Sequence, residues 1–360
     1  MLFREVRSPV PRRTAALTCR QRSASEFDLL SDCASLIQYW GMSRIADVAF
    51  AICCFLDVRQ STVRQSKAPN RLAPLSITRR TFLRLAAATG ATTLAVDATL
   101  LAPNRLRVVR KDIALRRWPE RLEGFTIALL SDLHFDPYFS VHPIEASVGI
   151  VNSLNPDLIV LTGDFVSIPP LDGDEEKAAS AAEPCADLLR RMRAKHGLWA
   201  VMGNHDYYTN PWTVTRALQA RGIKVLANQS SPIEQGGARF WLAGVNDVVS
   251  GTADLDETLH IVPENEAAIL LAHEPDYADE VARYRVDLQL SGHSHGGQVR
   301  LPLVPPLFLP ELGKKYVWGL YRIGPLTLYT NPGIGTVVLP IRLNCPPEIT
   351  LLTLRRSSIE

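Results

Sequence analysis

Five short segments between Asp132 and His295 constrain this chain more than any other feature, because each follows an apolar run directly with residue types that hold metals. In order they read Ser131-Asp132-Leu133-His134, Gly163-Asp164, Gly203-Asn204-His205-Asp206, His273 and Gly292-His293-Ser294-His295. Singly they say little. An Asp-x-His or a Gly-Asp after a strand is ordinarily a turn, and a solitary histidine is ordinarily a satisfied core residue. The runs before them change that reading. Residues 125–131, 157–162 and 198–202 read as buried strands, with helix-period stretches at 145–154 and 175–195 between them. Strand and helix alternating in this way predict a largely parallel inner sheet. In such a sheet ligands gather outside the carboxyl ends of the strands, so five separate segments bring carboxylates, an amide and imidazoles to one rim.

The alternation continues with a helix at 213–220, strands at 224–226, 239–243 and 268–272, a helix at 277–284 and a strand at 287–290. Residues 298–354, rich in β-branched and aromatic types with Pro and Gly between, read as antiparallel strands. The acidic, Ala-rich stretch 172–182 reads as a solvated loop leading into a helix.

As an ordered set, Asp132-x-His134, Gly163-Asp164, Gly203-Asn204-His205-Asp206, His273 and Gly292-His293-Ser294-His295 resemble the motifs of calcineurin-like metallophosphoesterases, over roughly residues 108–354. The resemblance implies an α/β fold: a four-layer α/β/β/α sandwich of two mixed sheets packed face to face with helices outside, filling 108–356. It implies two divalent ions, one held by Asp132, His134 and His295 and the other by Asn204, His273 and His293, with Asp164 bridging them. Oxygen and imidazole ligands without thiolate suit Mn, Fe or Zn. A hydroxide bridging both ions would attack the phosphorus of a phosphoester, a phosphodiester or pyrophosphate in particular. His205 is then not a ligand but the acid that protonates the leaving oxygen, and Asp206 is its orienting partner. Related sequences carry an arginine after the late strand, where this chain reads Thr330-Asn331-Pro332-Gly333-Ile334-Gly335. The phosphate-positioning contact is therefore either absent or supplied by Arg342, and other substrate-binding residues are unknown.

His295-Gly296-Gly297-Gln298 and Cys345-Pro346-Pro347-Glu348-Ile349 resemble more narrowly a bacterial, membrane-associated branch exported by the twin-arginine route. Some members of that branch are described as UDP-2,3-diacylglucosamine hydrolases of lipid A biosynthesis, which implies a lipid-linked substrate and a membrane surface as partner. The N-terminal third agrees with export. Ser76-Ile77-Thr78-Arg79-Arg80-Thr81-Phe82-Leu83-Arg84, followed by the uncharged stretch 85–96, resembles a twin-arginine signal. Residues 76–107 are accordingly expected to be that signal, left uncleaved as an anchor or removed, plus a linker. The domain would then lie in the cell envelope, periplasmic or on the outer face of the inner membrane, with the twin-arginine export machinery as a partner. Residues 1–75 carry scattered arginines and an apolar run at 45–56 too short to span a bilayer. They read as a disordered or wrongly started leader, or as a weak membrane-seeking helix.

Charge bears on the alternatives. Lys and Arg total 39 against 37 Asp and Glu, so no global field draws nucleic acid, and no dense basic run of the kind expected of an exported nuclease borders the motifs. An exported nuclease, against which the missing basic run counts only modestly, or a nucleotide phosphatase remains an alternative. A non-catalytic binding module would be expected to have lost ligands, and all seven are present. The six cysteines form no C-x-x-C pair, and Cys185 and Cys345 read as small buried hydrophobes rather than a disulfide. The strip 301–310, apolar and proline-rich, is a membrane-facing patch if it is a loop and ordinary core if it is packed.

Overall fold

Strands β1 (Arg107–Leu115), β2 (Thr126–Leu130), β3 (Leu158–Leu161), β4 (Leu198–Ala200), β5 (Lys224–Val225) and β12 (Glu348–Arg356) pair in the order β1-β12-β2-β3-β4-β5. Strands β6 (Gln229–Gln235), β7 (Ala238–Gly244), β8 (Ala268–Leu271), β9 (Leu288–Ser291), β10 (Gly319–Ile323) and β11 (Leu326–Thr330) form a second sheet in the order β10-β11-β9-β8-β7-β6. This computed structural model describes residues 78–136, 139–168, 173–306 and 308–357, all within the unit Ile77–Glu360. Residues 1–75, expected to be a leader, and Ser76 and Ile77 of the expected signal lie outside the described residues.

Both sheets are mixed. Strands β2 to β5 run parallel, as do β7, β8, β9 and β11, while β12 lies antiparallel to β2 and β6 and β10 lie antiparallel to β7 and β11. The inner strands are buried on both faces, and their period of two divides each between two cores. Ala128, Leu130, Ile159 and Leu161 point to one side, against helices α2 (Val141–Leu154), α4 (Ala182–Leu189) and α6 (Pro211–Ala220). Ile127, Leu129, Leu158 and Val160 point to the other, against Leu242, Ile269, Leu271, Leu288 and Leu290 of the second sheet. The outer face of the second sheet carries Ala243, Leu270 and Leu328 and is covered by α7 (Leu255–Leu259) and α8 (Ala278–Val281). The result is the four-layer sandwich.

Two expectations change. The 298–354 stretch is antiparallel only in part: β10 pairs antiparallel with β11 and β12 with β2, but β11 runs parallel to β9 and β12 parallel to β1, and the described residues of 298–318 are irregular apart from one bridge between Val299 and Leu343. Side-chain type marks a strand but not its direction, which the connections decide. The single helix expected at 175–195 is two, α3 (Glu175–Ser180), capped by Asp174 accepting the Lys177 amide, and α4, with a break at Ala181. Edge strands β1 and β6 had no expectation at all; both expose charged or polar residues, and β6 contains Pro232. Cys185 and Cys345 are buried and free.

Ahead of β1 runs α1 (Arg79–Val96), capped by the Thr78 hydroxyl accepting the Thr81 amide, with no residue buried. It continues through a π-turn at Asp97–Leu101 and a 3-10 turn at Ala102–Asn104. Among the described residues, Arg79–Asn104 is one helix long and apolar enough to cross a membrane. Its last turns touch the domain through Ala98, Ala102 and Pro103, which are buried, and the Ala98 carbonyl accepts the Arg342 amide at 2.9 Å.

Candidate metal centre

All five motif segments leave strands or turns at the same rim, and they bend sharply there. Asp132, His134, Asp164, His293 and His295 each have φ between +41° and +68°, the left-handed region that costs a non-glycine residue about 1–3 kcal/mol. Such bends persist only where the surroundings enforce them, and here the enforcement is visible. The Asp132 carbonyl accepts the Gly335 amide at 2.8 Å, the Ser131 carbonyl accepts Ile334 at 3.0 Å, and the Asp132 carboxylate accepts the His293 amide at 2.9 Å. Gly203 is a case of close approach: a Cβ there would stand 2.8 Å from both the Asp164 amide nitrogen and the His273 ring, so only glycine lets these strand ends meet.

Asp132, His134, Asp164 and His295 form one group whose donor atoms lie within 4.8 Å of one another, and Asp164, His273 and His293 form another. All six are buried, and Asp164 belongs to both groups. The Nε2 atoms of His134 and His295 are 2.9 Å apart, while His134 Nε2 is 3.5 Å and His273 Nε2 3.2 Å from Asp164 Oδ2. Two donors about 2.1 Å from one cation and at right angles to each other lie about 3 Å apart, so the pair suits a shared metal. Asn204 is buried beside them at the start of α5 (Asn204–Thr209), and its Oδ1 has no hydrogen-bond partner.

The imidazoles are oriented by backbone carbonyls. His273 Nδ1 donates to Thr162 O at 2.6 Å, leaving Nε2 toward the cluster; His293 Nε2 donates to Glu311 O at 2.6 Å, leaving Nδ1. Burial pushes His134 down to about 3 and His293 down to about 4, so both rings are neutral and carry a free lone pair at physiological pH. Burial, with the Asp164 charge nearby, pushes Asp132 up to about 7. Crowded carboxylates beside the neutral rings of His134 and His293 in a buried site are what a cation satisfies, since its charge reverses this logic. The donor set fits metal.

His205 is the half-buried imidazole of the cluster. Its ring meets His134 edge-on at 4.9 Å and Tyr208 at 5.9 Å, and its amide donates to Asp164 Oδ1 at 2.9 Å. Asp206, expected to orient His205, does other work. Its carboxylate is fully buried and accepts the amides of Asp164, Phe165, Val166 and Gly203 at 2.8–3.2 Å, so it clamps the bend that presents Asp164. The side chain of a residue one position from His205 points away from it because both lie in the first turn of α5. Arg342 is also corrected. It is fully buried and donates to the carbonyls of Pro332, Gly333, Gly335 and Cys345, bracing the loop that covers Asp132; no donor is left to hold phosphate. Thr162 and Glu311, which act through carbonyls, leave no trace in side-chain identity. Glu274, buried next to His273 and accepting the Val248 and Val249 amides, was signalled only by its position.

The described family calcineurin-like phosphoesterase matches residues 125–297, a span that holds all seven candidate ligands. The uncharacterized metallophosphoesterase YkuE of Bacillus subtilis is 35% identical over 72% of this chain and 90% of its own length. Phosphodiesterase YaeI of Escherichia coli is 33% identical over 77% of this chain and 99% of its own. A zebrafish (Danio rerio) transmembrane protein with metallophosphoesterase domain is 32% identical over 73% of this chain and 61% of its own. The chain belongs to the calcineurin-like phosphoesterase family, and it is a hydrolase whose cluster of aspartates and histidines is built for metal.

Proposed function

We propose that the protein hydrolyses a phosphodiester or pyrophosphate carried on a lipid-linked molecule, using two divalent cations seated side by side. The observation that carries this reading is Asp164, which belongs to both donor groups. Asp132, His134 and His295 would hold one ion, and Asn204, His273 and His293 the other. Bound there, the ions supply acidification of a water and neutralisation of phosphoryl charge, and the ligand types favour Mn, Fe or Zn.

The protein's own residues do the rest. Asp206 fixes the Asp164 bend, and the His293 amide fixes the Asp132 carboxylate, so both acids are oriented before any ligand arrives. His205, more open than the ligands and set against His134, is the group able to reach the departing oxygen and give it a proton from its ring. A lipid-linked substrate is supported by the irregular segment after His295, where Leu301, Leu303, Val304 and Phe308 are exposed. Attachment to the membrane is supported by the apolar helix Arg79–Asn104 and by the name of the zebrafish relative. Export to the envelope by the twin-arginine route rests on Arg79-Arg80 and the uncharged helix that follows.

The test uses the purified full chain. Loaded with Mn, it is expected to hydrolyse bis(p-nitrophenyl) phosphate and UDP-2,3-diacylglucosamine, to lose both activities on chelation and to regain them when Mn is returned. Metal-loaded protein inert toward every phosphoester offered contradicts the reading; hydrolysis of the soluble ester alone removes the lipid-linked substrate.

A further inference from the structure

We propose that Leu303 and the neighbouring pair Val338 and Leu339 are the tips of a lipid-docking surface continuous with the exit of the apolar helix. A bilayer that holds the helix would thereby receive two loops of the metal centre as well. The proposal rests on the reading of Arg79–Asn104 as a membrane helix and adds a second contact to it.

The helix comes first. Its 26 residues span about 39 Å at 1.5 Å each, against about 30 Å for a bilayer's hydrocarbon core, so its last turns emerge beside the domain. Leu100 and Leu101 on those turns are 63% and 52% exposed, while Ala98 between them and the domain is buried. The Arg342 amide bonds the Ala98 carbonyl at 2.9 Å, which lays the segment before Arg342 against the emerging turn. That segment carries Val338 and Leu339, 69% and 57% exposed.

Gln298, three residues after His295, ties this segment to the metal centre. Its side-chain amide donates to the Val337 and Leu339 carbonyls, each at 3.1 Å, and its Oε1 accepts the Val337 amide at 2.9 Å. Its own carbonyl accepts the Leu343 amide at 3.0 Å, and the Arg300 amide donates to Leu343 O at 2.9 Å. Leu303, on the loop that starts there, is exposed to its full extent. The helix exit, the Val338 loop and the Leu303 loop therefore hang on one hydrogen-bonded frame.

Two features favour lipid over a second protein as the partner of these apolar tips. No residue of α1 is buried, and Arg79–Asn104 is long and apolar enough to cross a bilayer, the pattern of a span rather than of a helix packed on a protein. Leu303 and Val338 are also held at φ +64° and +63°, a region that a bulky or β-branched residue rarely adopts and that here turns an apolar side chain outward.

The experiment uses the full chain in phosphatidylcholine–phosphatidylglycerol vesicles, with p-benzoylphenylalanine replacing Leu303, Leu94 or, as a reference on edge strand β6, Glu234. Irradiation is followed by mass analysis. Lipid adducts at positions 94 and 303, at least tenfold above position 234, are expected. Adducts at 94 alone overturn the docking surface and leave the helix as anchor; adducts at neither overturn both. Protein–protein adducts at 303 in place of lipid overturn the proposal in favour of a second copy. Hydrolysis of bis(p-nitrophenyl) phosphate by the position-94 protein, expected within twofold of the parent, separates any of these results from a failure of the catalytic reading.

Discussion

At the scale of single residues, two neighbours in one helical turn divide the work at this site. His205 keeps an exposed edge and touches no backbone carbonyl with its ring, while Asp206 faces inward and accepts four amides. His205→Ala is therefore expected to retain its metal and its thermal midpoint but to lose about 10²–10⁴ in turnover, the usual worth of a positioned acid. Metal analysis and kinetics on the same sample decide it, and full activity at unchanged metal content removes the acid. The sequence made the identity of these residues plain, since carboxylates and imidazoles crowd into Gly-Asn-His-Asp for no folding reason. It did not make plain which way each side chain points. Asp206 looked like a partner for His205 because they are adjacent, whereas helical geometry sends neighbours to different faces.

At the scale of elements, the strands were legible and the loops were not. Residues 127–130, 158–161 and 268–271 are continuous apolar runs because the sandwich buries both of their faces, and such runs stand out in a sequence. Edge strands β1 and β6 bury little, so their alternation is lost among polar residues. The 332–335 loop is harder still. It is held over Asp132 by a buried Arg342, a residue whose type pointed to phosphate and whose actual partners are carbonyls. Arg342→Met removes those donors and leaves several buried carbonyls unmatched, at about 1–3 kcal/mol for each group. The variant is expected to melt several degrees lower and to bind metal less tightly, because the loop braces the Asp132 bend. Calorimetry with and without metal checks both; an unchanged melting temperature would mean the guanidinium is dispensable to the loop.

At the scale of the whole molecule, the sandwich is a device for bringing strand ends from two sheets to a single rim. Asp132 and Asp164 follow β2 and β3 of one sheet, and His273 and His293 follow β8 and β9 of the other. The two hydrophobic cores that flank the first sheet set its position relative to the second, so the cluster exists only when both sheets are packed. How many cations that rim holds decides whether Asp164 is shared between two of them. Elemental analysis of the purified full chain, paired with Asp164→Ala, measures this directly. About two divalent ions per chain are expected in the parent, with both sites weakened in the variant because Asp164 belongs to both donor groups. A fully active parent carrying a single ion, or an Asp164→Ala protein that keeps both, would contradict it.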